Sequence, residues 1–185
     1  MTQISRRNAF LGAAAGLALA GCGNGIGSNG AATIDARATS TLNFMYDNYP
    51  GTRDLASKAA GVLVMPVVTE VGLGFGGSFG RGVLRVADTT VDYYSAASGS
   101  AGLQIGAQQY SHVLFFMTQD ALMDFRQSQG WAAGADVSYA LSDQGEMFSA
   151  DTTTSLSPVI AVVFAQAGLR VGATLEGTKY TRIIP

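Results

Sequence analysis

The sequence predicts an α+β domain, in which a strongly curved antiparallel β-sheet or barrel-like core, rich in glycine, carries two or three packed helices. Three observations support this fold class. Glycine alternates with apolar residues between Gly61 and Val86, a heptapeptide of the form Ala-Gly-Leu-x-(Ile/Val)-Gly-Ala occurs at 101–107 and again at 167–173, and helical periodicity runs from Ile34 to Tyr49. The 185 residues include 24 glycines and only 13% charged residues, which favours a compact β-rich domain.

The stretch from Gly61 to Val86 is the organising element of the chain. Its period of two predicts a strand with one apolar face and one face of bare backbone. Glycine weakens a strand, so the bare face indicates either close approach of another segment or a sharp bend. A dinucleotide site is disfavoured because Val83 to Val86 continues as strand rather than opening a helix. Pro66 predicts an edge, a bulge or a break. The alternating residues are Val71, Gly72, Leu73, Gly74, Phe75 and Gly76.

The first residues resemble an export leader. Ser5-Arg6-Arg7 precedes an apolar run, too short to span a bilayer, that ends in Leu19-Ala20-Gly21-Cys22. The last four residues resemble the bacterial lipobox, whose cysteine receives acyl chains. The predicted organisation is therefore a signal peptide at 1–21, a lipidated Cys22 with a flexible tether at 22–33, and one domain at 34–185. A soluble secreted protein with an incidental cysteine is the alternative.

The helix predicted from Ile34 to Tyr49 has one apolar face, and Pro50-Gly51 ends it. Packing of this face in the core is the favoured interpretation. The alternative is a helix lying on a membrane, although its polar face lacks the lysine and arginine typical of such helices. If the face contacts lipid, the residues involved would be Leu42, Met45, Tyr46 and Tyr49.

Other local signals predict the remaining elements. Thr52 is expected to cap a second helix, and Thr118 a third helix that ends at Gly130. A turn is expected at Asp88-Thr89-Thr90, and a loop from Ser95 to Ser100. Further strands are expected at 91–94, 113–117, 135–141, 147–150 and 158–166.

No recognisable catalytic or metal-binding motif occurs in the sequence. His112 is the only histidine, and no Gly-x-Ser-x-Gly elbow accompanies it. The acidic residues are scattered in turns and first helical turns, so neither a two-carboxylate site nor a calcium loop is predicted. The formal net charge of -2 disfavours nucleic acid as a partner. We expect no cofactor, no metal and no enzymatic activity.

The ordered motifs resemble the lipid-binding SYLF domain, a family that includes bacterial lipoproteins and yeast actin-patch proteins. The resemblance runs from about Asp35 to Ile184 and implies a helix-plus-β domain that binds lipid or membrane surfaces without catalysis. The basic amphipathic segment credited with phosphoinositide binding in animal relatives is missing, so headgroup specificity does not transfer. The matching segments are Ser57 to Pro66, Gly72 to Leu84, Ala101 to Gln108, Val113 to Met117, Gly134 to Asp136 and Gly168 to Gly177.

Together, these expectations describe a lipoprotein anchored in the bacterial outer membrane by the acyl chains on Cys22, with its domain facing the periplasm or the surface. Its expected partners are membrane phospholipids. The alternative is a structural or adhesive cell-envelope protein that binds a protein partner.

Overall fold

The computed structural model describes residues 28–134, 137–139, 157–165, 168–169 and 175–185. It confirms the α+β class and the strongly curved sheet. The helices and strands in chain order are α1 (Gly30–Asn48), α2 (Gly51–Lys58), β1 (Gly61–Val86), β2 (Thr89–Phe116), α3 (Gln119–Gln127), β3 (Trp131–Ala132), β4 (Val137–Tyr139), β5 (Val159–Ala165), β6 (Gly168–Leu169) and β7 (Lys179–Ile183).

A single long hairpin of β1 and β2 dominates the fold. Its register runs from the pair Gly61 and Phe116 to the pair Val86 and Thr89. The turn consists of Ala87 and Asp88, with φ of 47° and 61°, the left-handed conformation that two-residue hairpin turns require. The predicted turn was therefore one residue too late. The predicted loop from Ser95 to Ser100 was wrong, because these small residues pair with β1 as continuous strand.

The hairpin bends where β1 carries glycine. Among the close approaches, a Cβ at Gly80 would lie 2.8 Å from the carbonyl oxygen of Val67, and a Cβ at Gly82 would collide with the carbonyl oxygen of Val64. The end of β1 therefore packs directly on its beginning, at Gly80 and Gly82 rather than at the alternating Gly72, Gly74 and Gly76, for which the sequence predicted a close approach or a bend. Pro66 lies in a β-bulge between Met65 and Val68, one of the three predicted alternatives.

The other strands extend the sheet from the edge of β2 opposite β1, where β7 pairs with Tyr93 to Ala97 and β5 pairs with Ser111 to Phe116. The strand order is β3-β7-β2-β5-β4, with β1 also paired to β2 and β6 paired to β5. The prediction of an antiparallel sheet was wrong for one pair, because β4 and β5 run parallel.

The described core has two parts, one on each side of the curved sheet. One side holds Leu63, Leu84, Phe116, Phe125 and Tyr180 among others. The other side is covered by α1, whose Ile34, Ala38, Leu42 and Met45 pack against side chains that include Val64 and Val83. The two faces of β1 are therefore both buried at its ends.

The helices differ from expectation mainly at their starts. The first begins at Gly30, four residues before the predicted Ile34, and the Thr33 amide already donates to the Asn29 carbonyl. Thr52 is not the predicted cap, because it lies inside α2, buried, with its hydroxyl donated to the carbonyl of Tyr49. The Thr118 cap is confirmed, since its hydroxyl accepts from the amide of Ala121, but α3 ends at Gln127 rather than at Gly130.

A polar network fastens α1 to the end of the hairpin. The carboxylate of Asp35 accepts hydrogen bonds from the hydroxyl of Thr90 at 2.8 Å and from that of Tyr93 at 2.7 Å. Arg85 donates to the Asp35 carbonyl and to the Thr39 hydroxyl. Burial, the hydrogen bond to Asp35 and the negative charge of that carboxylate together raise the pKa of Tyr93 to about 12.

We expect Asp35→Ala to destabilise the domain by about 1–2 kcal/mol, since two partly buried hydroxyls lose their acceptor. The same change should lower the pKa of Tyr93, which stays above 10 because burial persists. Urea unfolding and an ultraviolet pH titration measure these two effects. Asp47→Ala is the control, because its ion pair with Arg53 is exposed. Equal stability of the two variants would contradict the fastening role.

Candidate functional site

Four apolar side chains of β1 point into solvent. We call Val67, Val71, Phe75 and Phe79 the apolar ridge; their exposed fractions are 36%, 54%, 84% and 53%. They occur at every fourth residue and continue the strand face on which Val83 is covered by α1. Past the helix, nothing among the described residues buries this face. A group of exposed apolar side chains is typical of a surface that meets a membrane or another protein.

A cleft adjoins the ridge at Val67. It lies between α1 and the sheet, has a volume of about 880 Å³, and is lined by both apolar and polar side chains. Phe44 of α1 and Phe164 of β5 stack in its wall, with ring centroids 5.8 Å apart. Arg37 is the charged residue among the lining side chains. The cleft thus combines an apolar wall with a cation, an arrangement that suits an amphipathic ligand.

The structure separates the four residues predicted for lipid contact into two pairs. Met45 is fully buried and Leu42 is 7% exposed, so both belong to the core beneath α1. Contact of either side chain with lipid would require α1 to leave the sheet. Tyr46 and Tyr49 are half-buried and pack at the border of the same core. Cys22 lies outside the described residues.

Tyr46 and Tyr49 are held by aromatic and cationic neighbours. Arg53 of α2 lies over the Tyr46 ring, 4.9 Å from its centroid, and Tyr49 contacts Phe164. Burial raises the pKa of both hydroxyl groups, so both tyrosines are neutral at physiological pH. Their exposed edges can still contact a ligand, but their positions are set by packing against the core.

His112 has a structural environment. It is fully buried in β2, and its Nε2 is 2.8 Å from the Tyr180 hydroxyl. Its Nδ1 has no hydrogen-bond partner among the described residues. Burial lowers the pKa of His112 to about 3, so the ring is neutral at physiological pH. Nor do the described residues include any group of three or more histidine, cysteine or acidic side chains that could hold a metal.

The burial of His112 predicts loss of stability in acid. Below its ordinary pKa of 6.5 the unfolded chain binds a proton that the folded chain excludes down to about pH 3. From this group alone, the free energy of unfolding should be about 2 kcal/mol lower at pH 5 than at pH 7.5. Urea unfolding at both pH values measures the difference. His112→Gln should abolish this part of the pH dependence; an unchanged dependence would contradict the assignment.

Sequence reasoning missed the apolar ridge and Arg37 as functional residues. The alternation of Val71 and Phe75 with glycine was visible, but alternation does not tell which face is covered. The signal that could have indicated the ridge is its length, because the apolar face of β1 extends further than one helix can cover.

Within the part of the chain that the structure describes, no helix combines the length and apolarity needed to cross a bilayer.

Comparison with known protein families identifies one match. Residues 97–182 match the family model Ysc84, described as Las17-binding protein actin regulator. The matched segment begins within β2 and ends within β7, so it includes α3 and the strands β3 to β6 but not β1, α1 or α2. No curated protein matches the chain.

Proposed function

We propose that this chain, whose residues 97–182 match the Ysc84 (SYLF) family model, is a membrane-anchored bacterial lipoprotein whose domain binds phospholipid surfaces and catalyses no reaction. The observation that carries the proposal is the apolar ridge. Phe75, with 84% of its surface exposed, and Phe79 lie in a paired β-strand rather than in a loop. Insertion of such side chains into a bilayer interface removes apolar surface from water and is therefore favourable.

The proposed mode of binding is apolar insertion rather than charge attraction. The formal net charge is -2, and the ridge itself is uncharged. A surface of this kind meets neutral and anionic bilayers about equally, whereas polybasic segments depend on anionic lipid and on salt. The expected affinity of the domain alone is modest, since four side chains insert.

With a lipid anchor on Cys22, even a modest affinity of the domain for the bilayer would keep it bound. Acyl chains on Cys22 would hold the domain at the outer membrane, facing the periplasm or the surface, and residues 23–29 would separate the lipid from α1. A tethered domain meets the bilayer at high effective concentration, so weak contacts become populated. Actin, named in the family description, is not carried over to this chain because the predicted leader directs export.

The proposal is tested by co-sedimentation of residues 23–185, which lack the leader and Cys22, with liposomes. Phosphatidylcholine vesicles and vesicles containing phosphatidylglycerol are compared at low and high salt. We expect binding to both lipid compositions with weak salt dependence. Absence of binding to either would leave Cys22 as the membrane contact and would favour the alternative, a cell-envelope protein whose ridge binds a protein partner.

A further inference from the structure

The α1–β1 cleft is built differently from the ridge. Its walls come from α1 on one side and from β1, β2 and β5 on the other. Its volume of about 880 Å³ lies within the range of roughly 300–1,000 Å³ that small-molecule sites occupy. The ridge is a row of exposed side chains, whereas the cleft is a partly open groove with space for one ligand molecule.

Most polar groups that line the cleft already donate their hydrogen bonds within the protein. The Ser40 hydroxyl donates to the Ala36 carbonyl, and the Ser111 hydroxyl donates to the Pro66 carbonyl at 2.7 Å. The side-chain amide of Gln109 donates to the hydroxyl of Thr69. These groups therefore offer few donors to an anionic ligand, which leaves Arg37 as the main donor of the cleft.

Arg37 is the exception. It is exposed and makes no ion pair with any residue that the structure describes. The described residues that line the cleft include no aspartate or glutamate. A guanidinium is permanently charged and pairs with a carboxylate through two hydrogen bonds. The ligand that complements the cleft is therefore an anion at the end that lies on Arg37.

The apolar wall determines the rest of the ligand. Phe44, Phe164, Pro66 and Val67 present aromatic and aliphatic surface beyond the cation. Val67 belongs to both the cleft and the ridge, so the cleft adjoins the surface that is proposed to touch the bilayer.

We propose that the α1–β1 cleft binds one long-chain fatty acid, with its carboxylate on Arg37 and its acyl chain against Phe44, Phe164 and Val67. The choice of a lipid rests on the proposed function, but the site is separate from the ridge. A single unpaired arginine matches a single carboxylate. The volume suits one ligand molecule rather than a segment of bilayer.

The test uses the full 185-residue chain carrying Cys22→Ser, so that no acyl chain is attached. Palmitate, below its micelle concentration, displaces a fluorescent fatty-acid probe, and hexadecanol serves as the uncharged comparison. We expect Arg37→Gln to weaken palmitate binding at least tenfold and to leave hexadecanol binding unchanged. Ser40→Trp, an exposed position on the cleft wall, should prevent binding of both. Arg53→Gln is the matched control, since Arg53 is exposed and outside the cleft.

Two further comparisons identify the ligand and the surface. Palmitate binding that is unaffected by Arg37→Gln would overturn the proposal, and so would tight binding of lysophosphatidic acid without binding of palmitate. Phe75→Ser/Phe79→Ser should keep its palmitate affinity within twofold, because neither residue lines the cleft. Failure of palmitate binding alongside normal vesicle binding would reject the cleft and leave the proposed function intact. Palmitate binding without vesicle binding would support the cleft and reject the proposed binding of the domain to phospholipid surfaces.

Discussion

Replacing Phe75 and Phe79 together by serine is expected to lower the affinity of residues 23–185 for liposomes by 10- to 100-fold. The two side chains are 84% and 53% exposed, so they contribute little to the core and much to the apolar ridge. Burial of about half the surface of one phenylalanine in a bilayer interface is worth roughly 2 kcal/mol, and each 1.4 kcal/mol changes affinity tenfold. The measurement is co-sedimentation at a series of lipid concentrations.

The matched control removes two exposed apolar side chains elsewhere. Met123 on α3 and Ile184 after β7 are 52% and 73% exposed, and neither belongs to the ridge. Met123→Ser/Ile184→Ser should bind vesicles as the unmodified domain does. Equal losses in the two double variants would show that general surface hydrophobicity, and not the ridge, determines binding. Urea unfolding of both variants checks that stability is retained.

The local features of the fold could be predicted from the sequence because each has a local physical cause. Thr118 has a side chain that satisfies an unpaired amide at a helix start, and Pro66 cannot donate to a ladder, so a cap and a bulge were predictable. The curvature of β1 followed from its glycines. These causes operate within a few residues and require no knowledge of the partner segment.

Features that depend on distant partners could not be predicted in the same way. Ser95 to Ser100 resembles a loop by composition, but this segment pairs with β1, and part of it also pairs with β7. The parallel pairing of β4 with β5 depends on the path of a crossover, which no residue type indicates. Long-range pairing therefore accounts for most errors in the strand assignment.

The candidate site illustrates the same division. The apolar periodicity of α1 predicted an apolar face, and the structure shows which part of it the sheet covers: Met45 fully, Tyr46 and Tyr49 only in part. The exposure of Phe75 depends on which distant segments cover this face of β1. Arg37 is a candidate ligand-binding residue because an apolar wall lies across the cleft from it, and that wall comes from residues far away in sequence. Local pattern indicates apolar surface, and tertiary packing decides whether that surface is free.

The glycine at position 82 offers the sharpest test of the curved sheet. A Cβ at this position would collide with the carbonyl oxygen of Val64 and with the sulfur of Met65, and would lie 3.0 Å from the carbonyl carbon of Val64. The sulfur is part of a flexible side chain, but the backbone of β1 can move only by opening the fold of the sheet on itself. We expect Gly82→Ala to reduce the free energy of unfolding by about 3 kcal/mol or more, the upper range for overpacking.

Gly99→Ala is the control on the paired strand, because a Cβ there meets no atom within 4 Å. Alanine replaces glycine in a strand with a gain of roughly 0.5–1 kcal/mol where space permits, so this variant should be as stable as the parent or slightly more stable. Urea unfolding of the two variants gives opposite signs if β1 packs on itself. Similar urea midpoints for the two variants would contradict the close approach of Gly82 to Val64. They would also contradict the curvature of the hairpin that positions both the ridge and the cleft.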